Sequence, residues 1–257
     1  MTIKRHEKCF DVKIPNTCYL QELSLLRESM SYLSGNPVVV EFGPLFGGST
    51  YALLSGLNGR GFVHSYDCFF YRDWMKVCTN HNYQLAYGVS FESITAANIC
   101  QFKNYKLHKC DLIEEQIWSN GPIDYIHLDA MKSVWIGAAT ISVFFPHLKV
   151  GGYIFDQDLG YNPVQFAFMA LTYYQYREYL EPVEICWPGT GVLFKVVKAL
   201  PSREEIAAFA NDEFNAPCSM LMDALGYLQQ FHVYDFSRTH VNTAKPKTYN
   251  HNSPKDW

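Results

Sequence analysis

The stretch VVVEFGPLFGGSTYALLSGL, residues 38–57, constrains the fold more than any other part of the sequence. It begins with VVVEF, whose β-branched and aromatic side chains are typical of a strand buried on both faces, as in a parallel sheet covered by helices. Gly43, Pro44, Gly47 and Gly48 then break the strand, and an apolar helical segment follows. We therefore predict a strand, a tight turn and a helix, the unit from which an α/β sheet is built.

Candidate strands and helices alternate along the rest of the chain. Four further strands are predicted over residues 61–67, 106–111, 123–129 and 151–158. Apolar periodicity predicts a helix over 19–34, and the segments between strands at 91–102 and 133–148 are further helix candidates. Two strands joined by PGTG, residues 188–191, predict an antiparallel hairpin at one edge of the sheet. The predicted fold class is α/β, a doubly wound, Rossmann-like and mostly parallel sheet with a C-terminal antiparallel hairpin.

The pattern changes after Leu200. Ser202 and Glu205 form a capping box before one apolar helix candidate, a second follows, and the last residues are polar. We predict an α/β domain with an N-terminal helix over 1–200, a C-terminal helical extension of that domain over 201–245, and a flexible tail over 246–257. The extension is a candidate surface for homo-oligomer formation.

The overall charge and hydropathy favour a small-molecule partner. The formal net charge is -4, which provides no general basic field for a nucleic-acid backbone. No stretch reaches the roughly 18 apolar residues that a membrane span needs, and no secretory h-region follows the charged start. The eight cysteines form no CxxC pair, which favours reduced thiols used as small core residues. We therefore expect a cytoplasmic protein that binds neither membrane nor nucleic acid.

The glycine-rich turn lies where open α/β sheets bind ligands, at the carboxyl end of a strand. Its spacing does not fit GxGxxG, because Leu45 occupies the second glycine position, and no GK[ST] follows for a phosphate loop. Asp67 ends the next strand, where a carboxylate can accept from both hydroxyls of a ribose. Asp111 ends the strand after that and can accept from an exocyclic amine. Each acid alone is more often a solvated strand end, but the ordered pair predicts a nucleoside site.

The motifs VVVEFGPLFGGST, SYD, KCDL, IDYIHLD and LKVGGYIFDQD, in this order, resemble those of class I S-adenosylmethionine-dependent methyltransferases. The resemblance spans roughly residues 20–198 and is nearest to macrocin-type and catechol/caffeoyl-CoA-type O-methyltransferases. It implies that Glu41 and Gly43 face the ammonium of S-adenosylmethionine, that Ser49 faces its carboxylate, and that Asp67 binds its ribose. It further implies that adenine is bound by Asp111 and Leu112. The predicted cofactor-binding residues are Glu41, Gly43, Gly47, Gly48, Ser49, Asp67, Asp111, Leu112 and Asp129.

The segment DAMK resembles the D-x-x-K motif of the catechol and caffeoyl-CoA O-methyltransferases. That resemblance implies that Asp129 binds magnesium and that Lys132 acts as the base, so both are predicted catalytic residues. A lysine can act as a base only where burial or nearby positive charge lowers its pKa. The structural alternatives are a solvated strand end for Asp129 and a surface lysine at the start of a helix for Lys132.

The other metal ligands depend on where the fifth strand ends. Related enzymes end this strand with two adjacent acidic or amide residues, and counting from Gly152 aligns that pair with Gln157 and Asp158. A strand one residue shorter would present Asp156 and Gln157 instead. Both alignments stay open, and so does a metal-independent enzyme in which Lys132 or His127 acts alone.

The acceptor is not identified by any motif. Residues 69–91 are rich in aromatic side chains and form either a lid over the acceptor or an aromatic helix packed on the sheet edge; the candidate contacts are Tyr71, Arg72, Trp74, His81 and Tyr83. Residues 160–165 and 187–191 also lie near the predicted rim.

Three functions follow from these motifs. The first is transfer of a methyl group to a small polar hydroxylated molecule, such as a sugar or nucleotide-linked precursor, with or without magnesium. The second is metal-independent transfer to nitrogen or an acidic oxygen. The third is a non-catalytic nucleoside-binding module. A nicotinamide oxidoreductase ranks last, because the glycine spacing is wrong for it.

Overall fold

The computed structural model describes residues 3–73, 75, 83, 85–112, 118–131, 134–157, 159, 171, 178–187 and 189–201. The strands are β1 (Lys4–His6), β2 (Val38–Phe42), β3 (Phe62–Asp67), β4 (Tyr105–Lys109), β5 (Ile123–Leu128), β6 (Leu148–Asp156), β7 (Leu180–Cys186) and β8 (Val192–Val196). The α-helices are α1 (Leu20–Ser29), α2 (Gly48–Leu57), α3 (Glu92–Asn98) and α4 (Val134–Phe144). Single 3-10 turns follow two of them, at Met30–Tyr32 after α1 and at Phe145–His147 after α4.

The strands form one sheet in the order β1-β7-β8-β6-β5-β2-β3-β4. Among the strands that the structure describes, only the β6–β8 and β7–β8 pairs are antiparallel, so β8 runs against the other seven. The predicted α/β class, the parallel centre and the hairpin of β7 and β8 are therefore confirmed. The hairpin does not form the outermost edge, however, because β1 pairs in parallel with β7 and extends the sheet by one strand. Three residues are too short a run for a sequence pattern to reveal.

Two hydrophobic cores lie on opposite faces of the sheet. Val40 and Ile126 belong to a core that includes Phe144 at the end of α4. Val39 and Tyr125, one residue away in the same strands, belong to the second core. Side chains of α1 and α2 complete it: Leu23, Leu26, Leu53 and Leu54. Because successive strand residues point to opposite faces, VVVEF is buried on both sides, as its composition predicts.

The observed elements differ from the predicted ones mainly at their ends. β4 ends at Lys109 and β5 at Leu128, so Asp111 and Asp129 lie just beyond their strands. The predicted helix face of residues 19–34 is buried at Leu23 and Leu26, but Leu20 is exposed. The helices and tail predicted after Leu200 lie outside the described residues, and the domain boundaries stay predictions.

Six of the eight cysteines lie in the part of the chain that is described, and all six are free thiols. Only Cys186 among them is buried, whereas Cys9 and Cys100 are exposed. The expectation of small core thiols therefore holds for Cys186 and is wrong for the two exposed ones. Within the described ranges, none of the helices has the length and hydropathy needed to cross a bilayer.

Candidate functional site

The turn between β2 and α2 adopts backbone conformations that explain its glycines. Gly43 has φ +87° and Gly47 has φ +93°, values in the left-handed region that side chains disfavour. Leu45 also has a positive φ, 48°, which is uncommon for a leucine. The Gly43 N–H donates to the Tyr66 carbonyl at 3.0 Å, and the Gly47 N–H donates to the Pro44 carbonyl at 2.7 Å. The turn is thus fixed to β3 and folded back on itself.

Helix α3 holds the other side of this turn. Thr95, which is fully buried, donates from Oγ1 to the Leu45 carbonyl at 2.6 Å. Asn98 donates from Nδ2 to the Phe46 carbonyl at 2.9 Å. These two hydrogen bonds give the Leu45 and Phe46 carbonyls a partner in a turn that does not pair with a strand. They also stabilise the positive φ of Leu45.

Other protein atoms lie next to the positions that side chains at Gly43, Gly47 and Gly48 would occupy. A Cβ atom on Gly43 would lie 3.2 Å from Ala130, and one on Gly47 would lie 3.1 Å from Ile99. A Cβ atom on Gly48 would lie 2.6 Å from the Cβ of Asn16, closer than two carbon atoms can pack. Close packing of the chain therefore explains Gly47 and Gly48, and their contact with a cofactor stays a prediction.

A buried hydrogen-bond network is centred on the Glu41 carboxylate, which we call the Glu41 hub. Ser49 Oγ donates to Oε1, and the hydroxyls of Thr50 and Ser65 donate to Oε2, all at 2.6 Å. The imidazole of His127 contacts Oε1 through Nδ1 at 3.3 Å. Four partners occupy the lone-pair directions of one carboxylate. Glu41 and His127 are both completely buried, so these contacts, and not solvent, compensate the charge.

The two charged members of the Glu41 hub stabilise each other. Burial alone would raise the pKa of Glu41, but the hydrogen bond and charge of His127 bring that pKa below its usual value. Burial alone would lower the pKa of His127, but the hydrogen bond and charge of Glu41 raise it above its usual value. The hub is therefore a buried ion pair with neutral donors around it.

Gln157, directly after β6, connects the hub to the N-terminal segment. Its side-chain oxygen Oε1 lies 3.3 Å from His127 Nε2 and accepts from the Cys18 thiol at 3.1 Å. Its backbone carbonyl accepts from Thr190 Oγ1 at 2.7 Å. Glu22 in α1 holds the same hairpin turn, because its Oε1 accepts from the backbone N–H groups of Thr190 and Gly191 at 2.9 and 3.1 Å. Helix, hairpin and sheet end are thus joined at the rim.

The carboxyl ends of β3 and β5 place Asp67 and Asp129 at this rim, both half-buried. Burial and the negative charge of Asp129 together raise the pKa of Asp67 to about 6, although the N–H groups of Phe69 and Leu45 and the thiol of Cys68 oppose this shift. Burial and Asp129 also raise the pKa of Glu22. Asp129 is therefore within electrostatic reach of two other carboxyl groups, and the rim carries concentrated negative charge.

The remaining predicted site residues are dispersed. Asp111 is exposed, and Leu112 is buried in the core that contains Trp118. Asp156, the last residue of β6, is 4% exposed. Lys132 and Asp158 lie outside the described residues, so their roles stay predictions. Among the residues that the structure describes, no group of three His, Cys, Asp or Glu side chains is arranged to hold a metal ion.

The described part of the aromatic segment packs inward. Phe69 and Tyr71 are fully buried against Phe46 and Phe91, and an isolated antiparallel bridge joins Phe70 to Ser90. These contacts agree with a packed aromatic cluster, although the described backbone is extended at Phe70 and not helical. Trp74, His81 and residues 160–165 lie outside the described residues, so their predicted contacts with the acceptor stay predictions.

The sequence analysis missed the Glu41 hub, although a signal for it was present. Each of three neighbouring strands carries a polar residue one or two positions before its end, and the sheet aligns Glu41 with both Ser65 and His127. Polar residues at matching positions in otherwise apolar strands indicate side chains that satisfy one another. This pattern can be recognised only when the order of the strands in the sheet is known, and no single segment of the sequence gives that order.

Neither a protein-family model nor a curated protein sequence matches this chain. Solved structures do match it. The O-methyltransferase NovP aligns with a TM-score of 0.51 and 15% identity, over 70% of this chain and 81% of NovP. An O-methyltransferase from Bacillus cereus in complex with SAH aligns with a TM-score of 0.46 and 15% identity, over 72% of this chain and 83% of that one. CalS11, a TDP-rhamnose 3'-O-methyltransferase, aligns with a TM-score of 0.45 and 15% identity, over 67% and 76%. At these identities the similarity establishes a fold, and this chain has the fold of the O-methyltransferase NovP.

Proposed function

We propose that this protein is an S-adenosylmethionine-dependent O-methyltransferase that transfers a methyl group to a small polar hydroxylated acceptor, such as a sugar or nucleotide-linked precursor. The observation that carries the proposal is the pair of acids, Asp67 and Asp129, at the carboxyl edge of a NovP-like sheet. S-adenosylmethionine carries a sulfonium and an ammonium group, so a negatively charged rim suits it. A dinucleotide with an anionic pyrophosphate suits the same rim poorly.

The state of Asp67 fits a ribose-binding carboxylate. Its raised pKa means that donors in the protein alone do not compensate its burial. Two ribose hydroxyls would supply the missing hydrogen bonds and favour the ionised form. Asp111 and Leu112 follow the neighbouring strand β4, and we assign them to the adenine. Gly43 remains assigned to the methionine end, where Glu41 would act through the hub and not by direct contact.

S-adenosylmethionine, when bound, supplies an already activated methyl group, so the protein has to orient the acceptor and assist loss of its proton. Asp129 lies directly after β5, and its N–H donates to the Phe42 carbonyl at 3.0 Å, which fixes its backbone against β2. Asp129 is half-buried, and its carboxylate would accept a hydrogen bond from a hydroxyl of the acceptor at the rim. We assign Asp129 to acceptor orientation and proton removal, together with Lys132.

Magnesium fits the described residues poorly. A magnesium ion needs oxygen lone pairs directed at it, and at position 157 the side-chain oxygen already contacts Cys18 and His127. The proposed reaction therefore uses no metal ion. The same contacts favour the second candidate function, metal-independent methyl transfer to nitrogen or to an acidic oxygen. Activity that is unchanged by EDTA would support this candidate, whereas a complete loss restored by magnesium would reject it.

The first test is calorimetric binding of S-adenosylhomocysteine, the reaction product, to the full chain. We expect binding with a stoichiometry of one per chain, and no binding would reject the proposal. A screen of hydroxylated compounds would then supply an acceptor for kinetics. Asp129→Asn should lower kcat by about 100-fold or more while S-adenosylhomocysteine still binds. Asp124→Asn, at the opposite end of β5, is the matched control, and full turnover by Asp129→Asn would refute the catalytic role.

A further inference from the structure

The polar atoms of Gln157 are almost all committed to the protein. The backbone N–H donates to the Leu128 carbonyl at 3.1 Å, and the backbone carbonyl accepts from Thr190. The side-chain oxygen contacts two donors, the Cys18 thiol at 3.1 Å and the His127 imidazole at 3.3 Å. A carbonyl oxygen has two lone pairs, so these two contacts fill its capacity.

The amide orientation determines what Gln157 presents to a ligand. Its oxygen points toward the Glu41 hub, so its NH₂ group lies on the other side of the amide carbon, away from His127. Within the described part of the chain, the structure gives this nitrogen no hydrogen-bond partner. Gln157 is only 3% exposed, so its conformation is fixed by packing as well as by hydrogen bonds. Position 157 therefore presents N–H donors, which are attracted to lone pairs and do not coordinate cations.

We propose that Gln157 acts as a hydrogen-bond donor to the molecule bound at the rim and is not a metal ligand. This inference rests on the proposed function, because it concerns the acceptor side of the same site. It replaces the metal ligand expected at this position with a group that recognises an oxygen or nitrogen lone pair. The group recognised at this position is then a hydroxyl, carbonyl or carboxylate of the acceptor.

The test is Mn²⁺ binding, followed by electron paramagnetic resonance, to the full chain saturated with S-adenosylhomocysteine. Gln157→Met removes both polar groups at similar size, and Gln157→Glu replaces the NH₂ group with an oxygen of the same shape. We expect the Mn²⁺ dissociation constant of Gln157→Met to lie within about twofold of the wild-type value. If neither protein binds Mn²⁺, that result also agrees with the inference. We expect Gln157→Glu to bind about tenfold more tightly than the wild type. Gln101→Glu, which adds the same charge at an exposed position, should match the wild type.

Two results would overturn the inference. Weakening of Mn²⁺ binding by about tenfold or more in Gln157→Met would show that the amide oxygen is a ligand. Unchanged binding in Gln157→Glu would show that the NH₂ group does not face the site. Should Gln157→Met fail to fold, the side-chain amide resonances of wild-type Gln157 give the same answer, because Mg²⁺ coordination would shift them. S-adenosylhomocysteine binding in each sample separates a failure of the proposed function from a failure of this inference.

Discussion

Glu41 and Asp67 lie near the ends of adjacent strands, yet their carboxylates have opposite environments. Glu41 is surrounded by three hydroxyls and an imidazole, and its pKa is lowered despite complete burial. Asp67 is half-buried beside another acid, and its pKa is raised to about 6. The donors around Glu41 fully compensate its burial, whereas those around Asp67, among them the Phe69 N–H at 2.8 Å, do not, so a ligand that supplies further donors would favour the ionised form of Asp67. We therefore assign Glu41 to stability and Asp67 to binding.

Of the changes that distinguish the roles of Glu41 and Asp67, Glu41→Ala should have the largest effect. This change leaves three buried hydroxyls and the charged His127 without an acceptor, so we expect the free energy of unfolding to fall by about 3–5 kcal/mol. Urea denaturation at neutral pH measures it. Asp67→Ala is the matched comparison and should lower that free energy by less, about 1–2 kcal/mol, because it leaves the Phe69 N–H without its acceptor. Similar losses in both variants would contradict the division of roles.

Asp67→Asn should weaken ligand binding without lowering the stability of the fold. It removes an ionised acceptor for the ribose hydroxyls, so we expect S-adenosylhomocysteine binding to weaken by about 1.5–3 kcal/mol. The free energy of unfolding should not decrease, because the substitution also removes a partly desolvated charge. Calorimetric binding, with Asp124→Asn as the control, and urea denaturation of Asp67→Asn measure the two quantities. Unchanged affinity would remove Asp67 from the cofactor site.

The raised pKa of Asp67 predicts a pH dependence of binding. Below pH 6 the free carboxyl is mostly protonated, and ribose hydroxyls stabilise the ionised form, so binding must release the proton. Affinity for S-adenosylhomocysteine should therefore increase about tenfold from pH 5 to pH 7 and then level off. Titrations in two buffers with different ionisation heats measure the released proton. A profile that keeps this slope in Asp67→Asn would assign it to another group.

The smallest effect is expected at Ser49, which has two candidate roles. The resemblance implies contact with the cofactor carboxylate, whereas the structure shows its hydroxyl donating to Glu41. If the hub is its main partner, Ser49→Ala should lower the free energy of unfolding by about 1 kcal/mol and leave S-adenosylhomocysteine affinity within twofold. Ser55→Ala in the same helix is the control. A clear loss of affinity with unchanged stability would restore the cofactor role.

Much of the fold could be predicted because its signals are local. VVVEF and the strands that follow it carry the composition of a buried parallel sheet, and the turn residues separate them clearly. For the candidate site, the sequence predicts position better than role. Asp67 lies at the carboxyl end of β3 as predicted, where open α/β sheets bind ligands, and its role in ribose binding stays a prediction.

The hub could not be predicted because its members are brought together by strand order and register. Glu41, Ser65 and His127 are distant in sequence and become neighbours only in the assembled sheet. Gly48 shows a different limit. Its lack of a side chain predicts a close approach, and the structure places Asn16 from the N-terminal segment there, while contact of Gly48 with a cofactor stays a prediction. A glycine signals close approach without indicating what approaches.

The two outermost strands are both basic on their exposed positions. β1 presents Lys4 and Arg5, and β4 presents Lys106 and Lys109. A sheet edge with unpaired backbone groups can recruit the edge of another molecule, and lysine is a common defence against that. Edge-to-edge pairing of two copies would bring like charges together at either side. Among the strands that the structure describes, edge-to-edge pairing is therefore disfavoured by Lys106 and Lys109 at β4 and by Arg5 at β1, where the charge of Lys4 is already paired with Glu184.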